Sequence, residues 1–345
     1  MTSKIPTRRL GKEGPLIPAL GYGTMGLSSH YGKIPDDETR FAILDRAYEL
    51  GIRFWDTSDM YGDSEELIGK WFARTGKRDE IFLSSKFGYR VTPSNGSMPG
   101  LTFHSDPEYV REACDRSLKR MGVEHVDLYY MHVPDGKTPI EDTIETMVEL
   151  KKAGKIKYLG LCGTNKKGLR RAEAVHHIDS VQVEYSLFAL EIEDPEEGCL
   201  ETCRELGIAV VCLSPLGRGF LTGRYKTRDD FEANDVRRLF PRFSAENFPK
   251  NLKFVEYIQS AAGKKGCTAA QLCLAFLMAQ GDDIIPIPGT KSIERLEENT
   301  GSLDVVLTEA ELKDIRHEIS SLPLSGSHRP GAYATIHGIE TPERK

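Results

Sequence analysis

The chain of 345 residues has little of what would commit it to a membrane, to nucleic acid or to a metal. No apolar run approaches the ~20 residues that cross a bilayer, so no membrane partner is expected. No block of Lys or Arg stands out. The balance is slightly acidic, 46 Lys+Arg against 52 Asp+Glu for a net charge of −6. Nucleic acid is therefore not an expected partner. The opening MTSKIPTRRLGKEGP lacks the apolar stretch of a secretory leader. The seven cysteines are odd in number and show no ligand-like clustering, so no metal site is expected. Cys199 and Cys203, four apart in a helical pattern, read as packing. Reduced thiols in a cytoplasmic protein are the simplest account. No linker-like stretch divides the chain. One domain over 1–345 is expected, with a core of about 10–320 and a polar tail, 323–345, that is either flexible or folded over the site.

What is present is alternation. Phe41, Leu44 and Tyr48 keep helical spacing and precede the strand-like IRFW (52–55). Leu67, Ile68 and Trp71 precede IFLSS (81–85), and Val110, Cys114, Ser117 and Leu118 precede VDLYYM (126–131). The pattern continues through IKYLGLC (156–162), SVQVEY (180–185), IAVVCL (208–213) and IIPIP (284–288), each after a helical stretch. Such alternation means parallel strands with crossover helices. Counting ALGYG (19–23) as the first strand gives about eight units, the number that closes a TIM (β/α)8 barrel. The open doubly wound sheet is the alternative, and the missing linker favours closure. The segment TRRLGKEGPLIPALG reads as an N-terminal β-hairpin plugging the barrel bottom. Residues 217–250, after the seventh strand, read as a lid or clasp with extra helical structure, and a further helix lies near the C-terminus.

Active sites of such barrels lie at the C-terminal strand ends. There the sequence places Asp56 on the second strand with Tyr61 in its loop, Lys86 on the third and His132 on the fourth. Each alone has a bland reading as cap, packing or structural hydrogen bond. Four on successive strand ends are a candidate site. A free tyrosine holds its proton at neutral pH. A Lys86 ammonium alongside favours the phenolate and would make Tyr61 a better acid. Asp56 would fix Lys86, and His132 would orient a substrate oxygen. The set supplies a proton and an oxyanion site but no hydride, so a cofactor is required.

These residues resemble the tetrad of the aldo-keto reductases. The likeness runs from about Leu10 to Ser320 through GYGTMG, DTSDMYG, SVQVEYSLF, SPLGRGFLTG and IPGTKSIERLEEN. It is nearest to the fungal, plant and bacterial members that include pyridoxal reductase-like enzymes. The resemblance implies NADPH/NADP+ as cofactor and a small carbonyl compound as substrate, with Trp55, Tyr61, Tyr89 and His132 near it.

GYGTMG (21–26) fits a dinucleotide fingerprint poorly, because LSSHYGKIP behind it has a proline and no helical face. It reads better as the first strand and its loop. By resemblance Gly23, Thr24 and Met25 lie against the cofactor, with Asp56. In PIPGTKSIERLEEN a strand ends, Gly289 allows a tight turn and a helix begins near Ser292. This is the last strand–helix junction, where such barrels commonly hold phosphate. Lys291, Ser292 and Arg295, with Thr290, suit a 2′-phosphate, against the alternative of a capped helix with solvated charges. Glu298 and Asn299 match adenine contacts. In LSPLGRGFLTG (213–223) the glycines let backbone approach a pyrophosphate, which brings Ser214, Pro215, Leu216, Gly217, Gly219 and Leu221 into the expected set. Gln182 matches the residue that binds the nicotinamide carboxamide. Cys162 and Gly163 stand where the family usually has Ser then Asn or Glu, and Leu213 where many members stack an aromatic ring.

The resulting expectation is an NADPH-dependent aldehyde or ketone reductase, a monomer or weak homo-oligomer. A Schiff-base aldolase using Lys86 and an NADPH-loaded accessory subunit of an ion channel are the alternatives.

Overall fold

The computed structural model describes residues 5–92, 100–328 and 338–344. The chain opens with β1 (Thr7–Arg9) and β2 (Leu16–Pro18), paired antiparallel as the expected hairpin. Eight parallel strands follow in one sheet. In spatial order these are β3 (Tyr22–Gly23), β4 (Phe54–Asp56), β5 (Phe82–Phe87), β8 (Val126–Met131), β9 (Ile156–Cys162), β10 (Ser180–Glu184), β11 (Ala209–Leu213) and β12 (Ile284–Pro286). The edges meet. Gly21 N–H donates to Pro286 O at 2.9 Å and Gly23 N–H to Pro288 O at 3.3 Å. The sheet is therefore a barrel, not the open alternative. Every crossover carries a helix: α1 (Met25–Ser28) and α2 (Asp37–Glu49), α3 (Ser64–Thr75), α4 (Pro107–Met121), α5 (Ile140–Lys152), α6 (Lys166–Val175), α7 (Leu200–Leu206), then α8 (Phe248–Lys265) and α9 (Ala269–Met278) after β11, and α10 (Ile293–Thr300) and α11 (Glu309–Ser321) after β12.

Local chemistry sets the boundaries. Asp36 accepts from Thr39 N–H to start α2, and Asp106 accepts from Tyr109 N–H with Pro107 in the first turn of α4. Thr268 and Gln271 form a reciprocal capping box on α9.

Strand alternation sorts the core into an inner and an outer layer. Phe54, Leu128, Tyr130, Val211 and Ile285 fill the barrel, closed from below by Leu10 and Ile17 of the hairpin. The plug expected from the sequence is thus in place. Trp55, Tyr129, Met131 and their neighbours face outward onto the helices. A third cluster, rich in phenylalanine, builds the 217–250 segment and α8; Phe220 meets Phe248 at 5.0 Å and Phe188 at 5.4 Å between ring centres. Each such fully buried side chain contributes ~1.5–3 kcal/mol by leaving water.

Two features go beyond the sequence reading. An antiparallel hairpin, β6 (Tyr89–Thr92) with β7 (Gly100–Phe103), rises from the mouth after β5. The tail is docked where described: Asn251 brackets Ser325 through its N–H and its carbonyl, and Gly338 N–H donates to Gly163 O at 2.9 Å.

Candidate active site

Register and pleat bring the tetrad together. Asp56 pairs with Ser84 across β4–β5, and Lys86 lies two residues further on, so both side chains rise on the inner face at the same end. The Lys86 ammonium is fully buried. It donates to Asp56 Oδ1 at 2.5 Å and to Thr57 O at 2.7 Å. The second Asp56 oxygen accepts from Ser84 Oγ at 2.7 Å and from Gln182 Nε2 at 2.8 Å. Both carboxylate oxygens are therefore satisfied, as a buried ion pair requires. Thr24 braces the same residue from behind, its hydroxyl donating to Asp56 O at 2.9 Å.

Tyr61 turns its ring over this pair, with the ammonium 4.9 Å from the ring centre, where its charge favours the phenolate. His132 packs edge-on against Tyr61 at 5.9 Å and against Tyr89 at 4.7 Å. Its Nδ1 is 3.2 Å from Ser58 Oγ, in the same loop as Tyr61. The hairpin β6–β7 is what carries Tyr89 to the mouth.

Electrostatics depart from the sequence expectation in one respect. Burial raises the Tyr61 phenol to about 12, and Lys86 opposes that rise without overcoming it. The ammonium does not create a phenolate; it limits the cost of desolvation. For Lys86, burial works against the charged form, but Asp56 and Tyr61 outweigh it and the net direction is up. It stays an ammonium.

The site opens into a cleft of about 810 Å³. From the tetrad it passes Met25, Gly23, Cys162, Gln182 and Leu213. It then follows Ser214, Pro215, Leu216 and Gly219 to Gly289, Thr290, Lys291, Arg295, Glu298 and Asn299. Most sequence-derived positions thus share one continuous wall. Six do not face it. Trp55 stands on the outer face of β4, its ring 4.7 Å from Trp71 and its N–H donating to Ile52 O, so it is no part of a substrate pocket. A one-residue step along a strand reverses the side chain, and Asp56 holds the inward position. Thr24 is fully buried, its hydroxyl engaged with Asp56 O and Ser64 Oγ. Leu221 and Gly217 are buried in the phenylalanine cluster, Leu221 N–H being bonded to Leu216 O. Gly163 turns away to meet Gly338. Ser292 spends its hydroxyl on capping α10, accepting from Arg295 N–H. Gly289 has a reason other than a turn: a Cβ there would stand 2.7 Å from Gly23 O, so the pair allows β12 and β3 to close the barrel.

Several lining residues were not among the sequence-derived positions: His30, Tyr31, Met60, Glu184, Arg218 and Phe240. Loop 29–35 and the 217–250 segment meet across the cleft, Lys33 N–H donating to Glu232 Oε2 at 3.1 Å. Lys291 donates to Tyr31 O and, at 2.8 Å, to Lys33 O. No trio of metal-ligating side chains occurs among the described residues, and none of their helices is long and apolar enough to cross a membrane.

Comparison with known proteins agrees with this geometry. Residues 19–319 match the model of the aldo/keto reductase family. The chain is 49% identical to aldo-keto reductase str7 of Strobilurus tenacellus over 346 residues, and 48% identical to aldo-keto reductase yakc [NADP(+)] of Schizosaccharomyces pombe over 341 residues. Each alignment covers 98% of both chains. The glycerol dehydrogenase AKR11B4 of Gluconobacter oxydans, 24% identical, superposes with a TM-score of 0.83 over 93% of this chain and 97% of its own, a likeness of fold alone. The chain belongs to the aldo/keto reductase family.

Proposed function

We propose that this chain reduces an aldehyde or ketone to an alcohol at the expense of NADPH, with Tyr61 as the proton donor. The observation that carries the reading is the fully buried Lys86 ammonium, held by Asp56 and lying 4.9 Å from the centre of the Tyr61 ring at the head of a long cleft.

The cleft fits a dinucleotide. It runs from the tetrad to the first turn of α10, where Lys291 and Arg295 offer two cations. An ammonium has three donors, and Lys291 uses two on backbone carbonyls, leaving one for a phosphate oxygen. Thr290, Glu298 and Asn299 would flank the adenosine end, and Cys162, Gln182 and Leu213 the nicotinamide end. The relative from Schizosaccharomyces pombe, whose name specifies NADP(+), supports the phosphorylated form. What the group supplies when bound is a hydride equivalent.

The protein's own part is proton transfer and orientation. The buried Tyr61 phenol stays protonated across the physiological range. An alkoxide is far more basic than a phenolate, so the proton moves to substrate oxygen as that charge develops. Lys86 stabilises the phenolate left behind, and Asp56 and Thr57 O keep the ammonium in place. His132 and Tyr89 bound the space where the carbonyl oxygen sits.

The Schiff-base alternative needs a neutral amine free to attack. Lys86 donates to two fixed acceptors and is held charged, which disfavours it. The accessory-subunit alternative is separated by assay. Aldehyde-dependent loss of NADPH absorbance by the purified chain, absent in Tyr61→Phe, is the expected result; tight NADPH binding with no turnover of any aldehyde, ketone or pyridoxal would refute the reductase reading.

A further inference from the structure

Among the described residues, three non-glycine positions adopt the left-handed backbone: His30 (φ 70°), Ser214 (φ 50°) and Arg218 (φ 58°). All three line the cleft. A side chain kept in that conformation costs free energy, and proteins retain such residues where the side chain is used. Arg218 is the sharpest case. It lies between Gly217 (φ 56°) and Gly219 (φ 85°), in a run where glycine is the unstrained choice. Its guanidinium turns back to the tetrad end of the cleft. It lies over the Phe240 ring at 4.4 Å and close enough to Tyr61 and His30 to act on them electrostatically.

The contacts that hold it are loose. Arg218 donates to Glu184 Oε2 and to Tyr31 Oη, both at 3.4 Å. Glu184 has a second partner, His328 Nε2, at 3.8 Å. A guanidinium carries five donors in a planar fork suited to a carboxylate. Here the fork is positioned, largely buried and engaged only at long range. An incoming oxyanion gains more from such a group than from a solvated lysine. The cations Lys291 and Arg295 sit at the other end of the cleft and Lys86 is committed to Asp56 and Thr57 O, whereas Arg218 is placed to meet a charge on the substrate.

We propose that Arg218 is a specificity-determining residue that anchors a carboxylate on the substrate, so that this reductase prefers carbonyl compounds bearing a remote carboxylate over their neutral analogues. The inference rests on the reductase reading and adds the substrate class.

The test uses the full chain with NADPH and two matched pairs, 4-carboxybenzaldehyde with benzaldehyde and succinic semialdehyde with butanal. The wild type is expected to favour the carboxylate member in kcat/KM by about tenfold or more, the scale of a charge-assisted contact. Arg218→Gly relieves the backbone strain, so it should fold, and should bring that ratio close to one; Arg218→Lys should restore part of it. Calorimetric titration of benzoate into the enzyme–NADP+ complex gives a readout independent of turnover: wild type binds, Arg218→Gly does not. An unchanged substrate ratio, or benzoate binding that is the same in both proteins or absent from both, overturns the proposal. So does an equal fall for both aldehydes accompanied by weaker NADPH binding, which would assign Arg218 to the cofactor's diphosphate. No oxidation of NADPH with any aldehyde would instead be the failure of the reductase reading, and the benzoate titration would still decide the role of Arg218.

Discussion

The Lys86 ammonium lies 2.5 Å from Asp56 Oδ1 and 4.9 Å from the centre of the Tyr61 ring, buried between the two. Removing the phenol hydroxyl deletes the acid without disturbing the ion pair. Tyr61→Phe is expected to lower kcat by about 10²–10⁴-fold. NADPH affinity, followed by quenching of protein fluorescence, should stay close to wild type. A variant that keeps its turnover would remove Tyr61 from the role.

Breaking the pair from the other side has a different signature. Asp56→Ala leaves an uncompensated buried ammonium, a loss of about 3–5 kcal/mol. Denaturant unfolding should report that loss together with the fall in activity. Lys86→Met removes the charge as well and should cost less stability than Asp56→Ala, although it too is inactive. The reverse ranking would mean that the ion pair is not what anchors Lys86.

Trp55 separates fold from function. It packs on Trp71 at 4.7 Å and Phe72 behind the sheet. Trp55→Ala is expected to destabilise by about 3–5 kcal/mol while leaving the KM for aldehydes near wild type at a temperature where the variant is folded. A large KM change with unaltered stability would return it to the pocket.

Asp59, two residues before Tyr61, is raised to about 7 by burial and by Glu65, with Arg116 and Arg120 pulling the other way. Its N–H is tied to Lys86 O at 3.3 Å. A carboxyl whose folded pKa lies above its unfolded one binds more protons folded than unfolded between the two values. Its contribution therefore falls as pH rises from about 4 to about 7 and then levels off. Asp59→Asn should gain in melting temperature relative to wild type across that window. A difference that is flat with pH, or of opposite slope, would refute the assignment.

On the proposed reading, Lys291 and Arg295 would carry the cofactor preference. Lys291→Ala should raise the Kd for NADPH by about tenfold, the loss of one charge-assisted contact, and change that for NADH much less. Equal effects on both would place the 2′-phosphate elsewhere.

The barrel was legible because its signal is repeated. Eight apolar strands between amphipathic helices leave few topologies, and chemistry at successive strand ends stands out without coordinates. Trp55 was misread because a strand end was treated as a place rather than as a side with an alternating direction. Ser292 and Gly289 were read as ligand contacts, and the structure gives each a further role, as a helix cap and as a close approach of two strands. Arg218, His30 and Tyr31 were passed over because loop conformation has no period. A lone arginine between glycines was the available trace, and its meaning appears only with the backbone angles. The hairpin carrying Tyr89 was missed for a similar reason: its strands are too short for alternation to register.

The docked tail has a practical side. Arg344 reaches Glu145 and Asp142 on α5, Arg171 of α6 holds Thr341 O and Pro342 O, and Gly338 clips the end of β9 through Gly163. None of these residues falls within the 19–319 span that the family model matches, apart from their partners on the barrel. Expression boundaries trimmed to that span would therefore unfasten the rim beside Cys162, and a fusion partner joined at that end would pull on the catalytic mouth, whereas one joined ahead of the hairpin would hang from the opposite pole.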